Sequence, residues 1–279
     1  MTYESTEIST QDGNPVSLYE FMWGNTFWRY TNADTAQTIT QDEEEVTYSP
    51  IAISDSGVTQ GGSRNNDMTV TAPSDLPLVD LFRSTPPAGA IWLTVRRHHA
   101  DGGNDEWFVH WIGTVSNVRK GGQASVNIVG LSLLASFSRS GLRLAWTRGC
   151  PHMLYDSECR ADPEDFALVA EITAIGADGT ITIDDAGGNV APYFDGGYFK
   201  WEANSDGTMD QRGIESSVTD TQFLIFGSTD RLEVGMSITL YPGCDLSAGT
   251  CKDKFDNLEN FGGFEQMTGE NPFDGRNIF

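Results

Sequence analysis

The stretch "AIWLTVRRHHADGGNDEWFVHWIGTVSNVRK", residues 90–120, contains two runs in which apolar and polar side chains alternate. Alternation with a period of two is typical of a half-buried β-strand, because successive side chains on a strand point to opposite faces. The segment "ADGGNDEW" between the runs is rich in Gly, Asp and Asn, which predicts a turn. A third alternating run, "ASVNIVGLSLLASFS" at 124–138, follows. These strands predict a mainly β fold.

Further strand signals lie on the N-terminal side of this stretch. "EFMWGNTFWRYTN", residues 20–32, predicts a hairpin that turns at Gly24 and Asn25. One short helix is predicted over "LPLVDLFRS", with Ser74 or Asp75 as its cap and Pro77 in its first turn. We therefore expect residues 1–146 to form a β-barrel or sandwich domain that carries one short helix.

The second half of the chain shows a separate set of strand signals. "DPEDFALVAEITAIGADGTITIDD" predicts a short helical turn and then two strands joined by Ala-Asp-Gly. A meander follows and closes with "LEVGMSITLYPGC". We expect a second small β-barrel over 165–243, joined to the first domain by a cysteine-containing segment at 147–164. The remainder, 244–279, is predicted to hold two further cysteines and an irregular tail.

Composition and charge restrict the class of protein. The chain has 279 residues and a formal net charge of −23. Residues 1–149 carry 10 Lys and Arg against 16 Asp and Glu, and residues 150–279 carry 7 against 24. Such a surface repels nucleic acid, so it serves either solubility alone or a wall that nucleic acid passes without binding. No apolar run is long enough to predict a membrane span, and "MTYESTEIST" lacks a signal-peptide pattern, so folding in a cytosol is expected.

The four cysteines fall into two widely separated pairs. Cys150 and Cys159 have eight residues between them, and Cys244 and Cys251 have six. Disulfides require an oxidising compartment, and inert buried thiols are usually found in strands or helices rather than in loops rich in Gly, Pro and Asp. The pairs also bracket the second predicted barrel, so the ends of that barrel could bring all four thiols together. Disulfides, inert thiols and a four-cysteine metal site remain three alternatives, and the loop positions favour the metal site.

The spacing and the flanking charges bear on which metal such a site holds. Paired zinc ligands usually lie two to four residues apart, so these wider loops are better suited to an iron–sulfur cluster. Nearby cations would favour thiolates and offset a cluster's negative charge. They are Arg148, Arg160, Lys252 and Lys254. His152 is a substitute ligand in principle, but four cysteines already complete a site.

No catalytic motif is present in the sequence. It contains no G-x-S-x-G, no H-E-x-x-H and no Walker-type loop. The acidic loops lack the twelve-residue calcium pattern that ends in Glu. His98, His99 and His110 lie on strand patterns, where ordinary structural roles are expected. The sequence therefore predicts that the protein is not an enzyme.

Three N-terminal segments follow one another along the chain: "LYEFMWGNTFWRYTNADT", "EEEVTYSPIAIS" and "MTVTAPSDLPLVDLF". They resemble the opening of a family of phage tail hub proteins that also occurs in gene transfer agents. "GCPHMLYDSEC" is similar to the family's first cysteine segment, and "GCDLSAGTCKDKFDNLENFGGFEQMTG" is similar to its C-terminal signature, which includes Lys-Phe-x-Asn. The resemblance covers nearly the whole chain, but "EANSDGTMDQRG" and the final "ENPFDGRNIF" do not follow the pattern.

The resemblance implies a structural role in a virion. It implies two tube-protein-like β-barrel domains, a homotrimer at the distal end of a tail tube, and a [4Fe–4S] cluster held by Cys150, Cys159, Cys244 and Cys251, with Zn²⁺ as the alternative. The implied partners are the distal tail protein, the tail-tip or central fibre and other baseplate proteins, with DNA only passing through during ejection. Assembly would take place in the host bacterial cytoplasm. The alternative function is a redox or hydrolytic metal-site enzyme of the tail tip.

Overall fold

A computed structural model describes residues 15–58, 67–99, 107–133 and 146–267. The fold is mainly β with few helices, as predicted from the alternating runs. The chain divides into two compact units: one comprises Met1–Arg139 and Glu202–Asp210, and the other comprises Ser140–Trp201 and Gln211–Phe279. Within the described residues, no helix is long and apolar enough to cross a membrane.

The first unit is built on a nine-stranded sheet with the order β3-β4-β2-β1-β7-β8-β9-β6-β5. Neighbouring strands are antiparallel except for β2 and β4, which run parallel. The strands are β1 (Pro15–Trp23), β2 (Thr26–Thr31), β3 (Gln37–Gln41), β4 (Glu44–Pro50), β5 (Ser54–Asp55), β6 (Met68–Pro73), β7 (Trp92–His99), β8 (Trp107–Lys120) and β9 (Ser125–Ser132).

The predicted N-terminal hairpin is present. Trp23 pairs with Thr26, so Gly24 and Asn25 form the two-residue turn between β1 and β2. Gly24 has a φ of +56°, and a Cβ added there would lie 2.8 Å from the Thr208 side chain. Glycine is therefore required at this turn for both its backbone angle and its close neighbour.

The three strands predicted from the alternating runs at 90–138 lie side by side in the sheet. Strands β7, β8 and β9 are consecutive antiparallel neighbours, with bulges that shift the register in β8. The predicted turn at 100–107 lies outside the described residues except for Trp107. Alternate residues of β7, such as Leu93 and Val95, are fully buried and pack into the core of this unit.

The helix predicted over 76–84 is present but shorter than expected. Helix α1 (Pro77–Asp80) has Leu76 at its N-cap, and no side chain caps it. The expected cap by Ser74 or Asp75 was wrong because the chain enters the helix one residue later, with Pro77 as the first helical residue. Leu78 and Val79 anchor α1 by burial in the core.

A buried ionic network lies on the opposite face of the first sheet. Glu20 accepts hydrogen bonds from Arg29 Nε (2.7 Å) and Arg96 Nη1 (3.0 Å). Arg96 also donates to the Tyr48 hydroxyl at 3.3 Å. Glu20, Arg96 and Tyr48 are all buried. The carboxylate is satisfied by two guanidinium groups, which is the condition under which buried charge is tolerated.

The second unit contains a closed six-stranded barrel with the order β10-β11-β14-β13-β12-β15. Its strands are β10 (Leu168–Ile175), β11 (Thr180–Ile183), β12 (Tyr198–Glu202), β13 (Met209–Ser217), β14 (Gln222–Ile225) and β15 (Ser237–Tyr241). The barrel interior is filled by alternate side chains, including Ile172, Phe199, Phe223 and Leu240, each with no exposed surface. Short helical segments flank it: 3-10 helices at Pro163–Phe166 and Leu258–Asn260, and helix α2 (Ala248–Asp253).

Candidate metal centre

The barrel register brings the two cysteine segments together. Strands β10 and β15 are antiparallel neighbours, and Leu168 at the start of β10 pairs with Leu240 near the end of β15. The segment with Cys150 and Cys159 leads into β10, and the segment with Cys244 and Cys251 leaves β15. Both pairs therefore lie at the same end of the barrel, although up to 101 positions separate them in the chain.

All four cysteines line one cavity of about 20 Å³, which has room for about one water molecule. Cys251 is buried, and the other three are partly buried. The other side chains that line the cavity belong to three apolar residues, three uncharged polar residues and one histidine. They are His152, Leu154, Leu246, Ser247, Phe255, Asn257 and Asn260.

The first cysteine loop is organised around one carboxylate. Asp156 accepts hydrogen bonds from the backbone nitrogens of Met153 (3.0 Å), Glu158 (3.0 Å) and Cys159 (2.6 Å). Although burial opposes the effect, these three bonds lower the pKa of Asp156. Tyr155 closes the loop onto the barrel end, because its hydroxyl donates to the Pro242 backbone oxygen at 3.0 Å.

The second cysteine loop is a turn followed by α2. The backbone nitrogen of Leu246 donates to Cys244 Sγ at 3.3 Å, and Ser247 caps α2 by accepting from the backbone nitrogen of Thr250 at 3.1 Å. This cap starts the helix that places Cys251 at the cavity. The two loops are joined directly, because the backbone nitrogen of Cys150 donates to the Leu246 oxygen at 2.8 Å.

The thiols influence one another electrostatically. Burial raises the pKa of Cys251, and the neighbouring charges of Cys150, Cys244 and Cys159 raise it further. Burial also raises the pKa of Cys244; the Leu246 hydrogen bond opposes this, whereas Asp245, Cys150 and Cys159 add to it. Four thiolates in this space therefore repel one another, and a bound cation would relieve that repulsion.

Of the four cationic side chains expected near the cysteines, only that of Lys254 is partly buried beside the site. Its ammonium donates to the backbone oxygens of Tyr193 and Gly243, the second at 2.7 Å, and lies 4.4 Å from the centre of the Tyr193 ring. Burial lowers the pKa of Lys254, while Cys244, Asp245 and Asp195 oppose that shift. The other three predicted cations, Arg148, Arg160 and Lys252, are exposed.

His152 lines the cavity together with the cysteines. A Cβ added at Gly262 would lie 2.2 Å from His152 Nε2, so the imidazole packs directly onto the glycine backbone. The histidines predicted to have structural roles lie on strands: His98 and His99 are buried on β7, and His110 lies on β8.

Two residues of the site were missed in the sequence. Tyr155 makes edge-on contacts with Tyr198, Tyr241 and Phe255 and so supports the first loop. Asn257 is buried between the two loops and bonds to Cys159 and Cys251. Both residues belong to the quoted motifs. Tyr155 is the Tyr of Leu-Tyr in the first cysteine segment, and Asn257 is the Asn of Lys-Phe-x-Asn in the C-terminal segment.

The residues that line the cavity can be compared with the ligands that a cluster or a zinc ion requires. Four thiols, a wall without carboxylate, ammonium or guanidinium groups, and hydrogen-bond donors directed at sulfur are the chemistry of a thiolate-bound cluster. Zinc would need its four sulfurs roughly 3.8 Å apart at Zn–S bonds of about 2.3 Å. Over the described part of the chain, no three His, Cys, Asp or Glu side chains lie as ligands around one ion, so the cysteine side chains would have to rotate to bind a single ion. The four thiols are the donor type of a four-iron cluster, but the cavity of about 20 Å³ has room for about one water molecule, so the thiols would have to move apart to hold one.

Comparisons with known proteins found one family match and a similarity in fold. Residues 192–271 match the protein family described as "Phage conserved hypothetical protein BR0599". No curated protein matches the chain in sequence. In fold, the chain is similar to one in the solved structure titled "Virion of native gene transfer agent (GTA) particle". The TM-score is 0.76 at 18% identity, with 96% of this chain and 93% of that chain covered.

Proposed function

We propose that this protein is a structural component of a phage-like virion and serves as the baseplate hub at the distal end of the tail tube. The observation that carries the proposal is the fold similarity to a chain of a gene transfer agent virion, which extends over 96% of this chain. A similarity of that extent spans nearly the whole of both chains. The proposed hub continues the tube and anchors the neighbouring tail-tip proteins.

The family match supports the same assignment from sequence. It covers residues 192–271, which include Cys244, Cys251 and the whole second cysteine loop. The family's description contains the word phage, which supports the same class of particle as the fold similarity does. The N-terminal and first-cysteine motifs lie outside the matched range.

The proposed role involves no turnover. One groove of the second unit, about 430 Å³, is open and contains Asp195, Asp245, Thr250 and Lys254. Lys254 already donates to two backbone oxygens, so it is held in a structural role rather than left for proton transfer. Among residues 15–58, 67–99, 107–133 and 146–267, no group of side chains favours the alternative of a redox or hydrolytic enzyme.

The proposed cofactor is a [4Fe–4S] cluster held by Cys150, Cys159, Cys244 and Cys251. The cluster would supply cross-links between the two segments that begin and end the barrel, and its binding free energy would add to folding free energy. The chain's own residues fix the segments through the Cys150–Leu246 hydrogen bond and position Cys251 on α2.

The proposed assembly is a homotrimer on the tail axis that contacts the distal tail protein, the central fibre and other baseplate proteins. The net charge of −23 supports a conduit for DNA, because each Lys or Arg contact with phosphate would add salt-dependent affinity and slow passage. Lumen-facing side chains are then Asp, Glu, Ser or Thr. Replacing the lumen-facing acids by Lys should slow DNA ejection; unchanged ejection would reject the conduit but leave the hub intact.

Electron cryomicroscopy of particles that carry this chain tests the assignment. We expect the chain to account for density on the tail axis, at the distal end of the tube, in a threefold-symmetric ring. Particles with an epitope tag on the chain, compared with untagged particles, locate the same density independently by antibody labelling. The proposal fails if the chain is absent from purified particles, or if it occurs as a monomer away from the axis.

A further inference from the structure

Asn257 joins the two cysteine pairs through both its side chain and its backbone. The side-chain nitrogen donates to the backbone oxygen of Cys159 at 2.5 Å and lies 3.7 Å from Cys159 Sγ. The backbone oxygen of Asn257 accepts from Cys251 Sγ at 3.2 Å, and its backbone nitrogen donates to the Cys251 oxygen at 3.0 Å. One residue is thus bonded to a cysteine of each pair.

The orientation of the Asn257 amide is set by a neighbour. Asn260 Nδ2 donates to Asn257 Oδ1 at 2.6 Å. Because the amide oxygen is engaged by that donor, the NH₂ group is directed to Cys159, and its two hydrogens can serve the Cys159 oxygen and sulfur separately. Asn257 is only 8% exposed, so water competes little for these bonds.

We propose that Asn257 is the positioning residue of the four-cysteine site: it holds Cys159 against Cys251 before metal arrives and donates a hydrogen bond to the Cys159 sulfur. Donors of this kind orient metal ligands, and losing one typically costs about 10–100-fold in metal affinity. The proposal rests on the assignment of the four cysteines as ligands but not on the location of the chain in a virion.

Asn257→Asp is the most direct variant, because it keeps the size and shape of the side chain but replaces the NH₂ donor by an oxygen. The matched control is Asn189→Asp. Asn189 Nδ2 also donates to a backbone oxygen, that of Ala186 at 2.9 Å, in the same unit but outside the cysteine cavity. A general effect of the substitution on the barrel would appear in both variants.

Two measurements test the proposal: amide hydrogen exchange of the metal-free chain, and titration of that chain with Co²⁺. We expect Asn257→Asp to speed amide hydrogen exchange in the Met153–Arg160 loop by at least about tenfold. We also expect it to weaken Co²⁺ binding, followed by thiolate-to-cobalt absorption, by about 10–100-fold. Asn189→Asp should change neither. If Asn257→Asp does not fold, the same measurements on Asn257→Ser test the proposal instead.

The proposal is overturned if exchange and Co²⁺ affinity in the Asn257 variant stay within twofold of the parent, or if the parent chain binds no Co²⁺. Neither result would affect the virion assignment, because electron cryomicroscopy of the particles tests that separately. Conversely, a chain absent from virions could still show both effects of the Asn257 substitution. The two failures are therefore distinguishable.

Discussion

The backbone nitrogen of Cys150 donates a 2.8 Å hydrogen bond to the backbone oxygen of Leu246, two residues after Cys244. This bond joins the two cysteine segments without involving any sulfur atom. A backbone bond of this kind contributes about 1 kcal/mol, far too little to hold four mutually repelling thiolates together. The backbone therefore brings the two segments together, and the contacts of Tyr155 and Asn257 hold them further.

Metal analysis of the purified chain tests the proposed cofactor. Protein purified without oxygen should be brown, absorb broadly near about 400 nm and contain about four irons per chain, as a cube held by four thiolates requires. The Cys150→Ser variant, which lacks one ligand, serves as the control and should contain less iron. One zinc and no iron per chain would reject the cluster but retain the four-cysteine site.

Removing one ligand should destabilise the second unit. Cys150→Ser or Cys251→Ser should lower the thermal unfolding midpoint of the metal-loaded protein to that of the chelator-treated parent, because metal binding free energy is also folding free energy. Met153→Ala is the matched loop control, since that side chain is 76% exposed. Unfolding of both cysteine variants at the parent's midpoint would show that the cysteines do not stabilise this end of the barrel.

The buried network of the first unit should be sensitive to loss of one charge. Glu20→Gln leaves Arg96, whose side chain is 8% exposed, without a carboxylate, and we expect a loss of about 3 kcal/mol in the free energy of unfolding. The exposed pair Arg83–Asp80, at 63% and 62%, provides the comparison: Asp80→Asn should cost at most about 1 kcal/mol. Equal costs in urea titrations of the two variants would contradict the prediction.

The turn between β10 and β11 should make the barrel's stability depend on pH. Asp178 accepts hydrogen bonds from the Thr180 hydroxyl at 2.7 Å and from its backbone nitrogen at 3.2 Å, and these bonds lower the pKa of Asp178 below its ordinary 3.8. A lowered folded-state pKa gives stability that is present above pH 3.8 and is lost as the pH falls through the folded value.

The variant that tests this is Asp178→Asn, which keeps an acceptor but does not titrate. We expect the parent to be the more stable at pH 6 and the difference between the two to shrink by pH 2.5, measured by urea unfolding at each pH. Parallel pH curves for parent and variant would show that Asp178 makes no titrating contribution.

The sequence alone determined those features that arise from local patterns. Alternating runs predicted the mainly β fold, Gly24 and Asn25 predicted the first hairpin turn, and Ala-Asp-Gly at 177–179 predicted the turn between β10 and β11. Each of these depends on residues within a few positions of one another. The cap of α1 was misplaced because cap geometry depends on the angle at which the chain leaves β6, which the core of the first unit sets.

Only the tertiary structure decided how the chemical groups meet. The four cysteines line one cavity because β10 pairs with β15 in a register that places the barrel's entry and exit side by side. The motif Lys-Phe-x-Asn contains Asn257, but it does not reveal the contact with Cys159, which lies 98 positions away in the chain. Strand periodicity is a local property of the chain, whereas the register between distant strands is set by how the whole barrel packs its interior side chains.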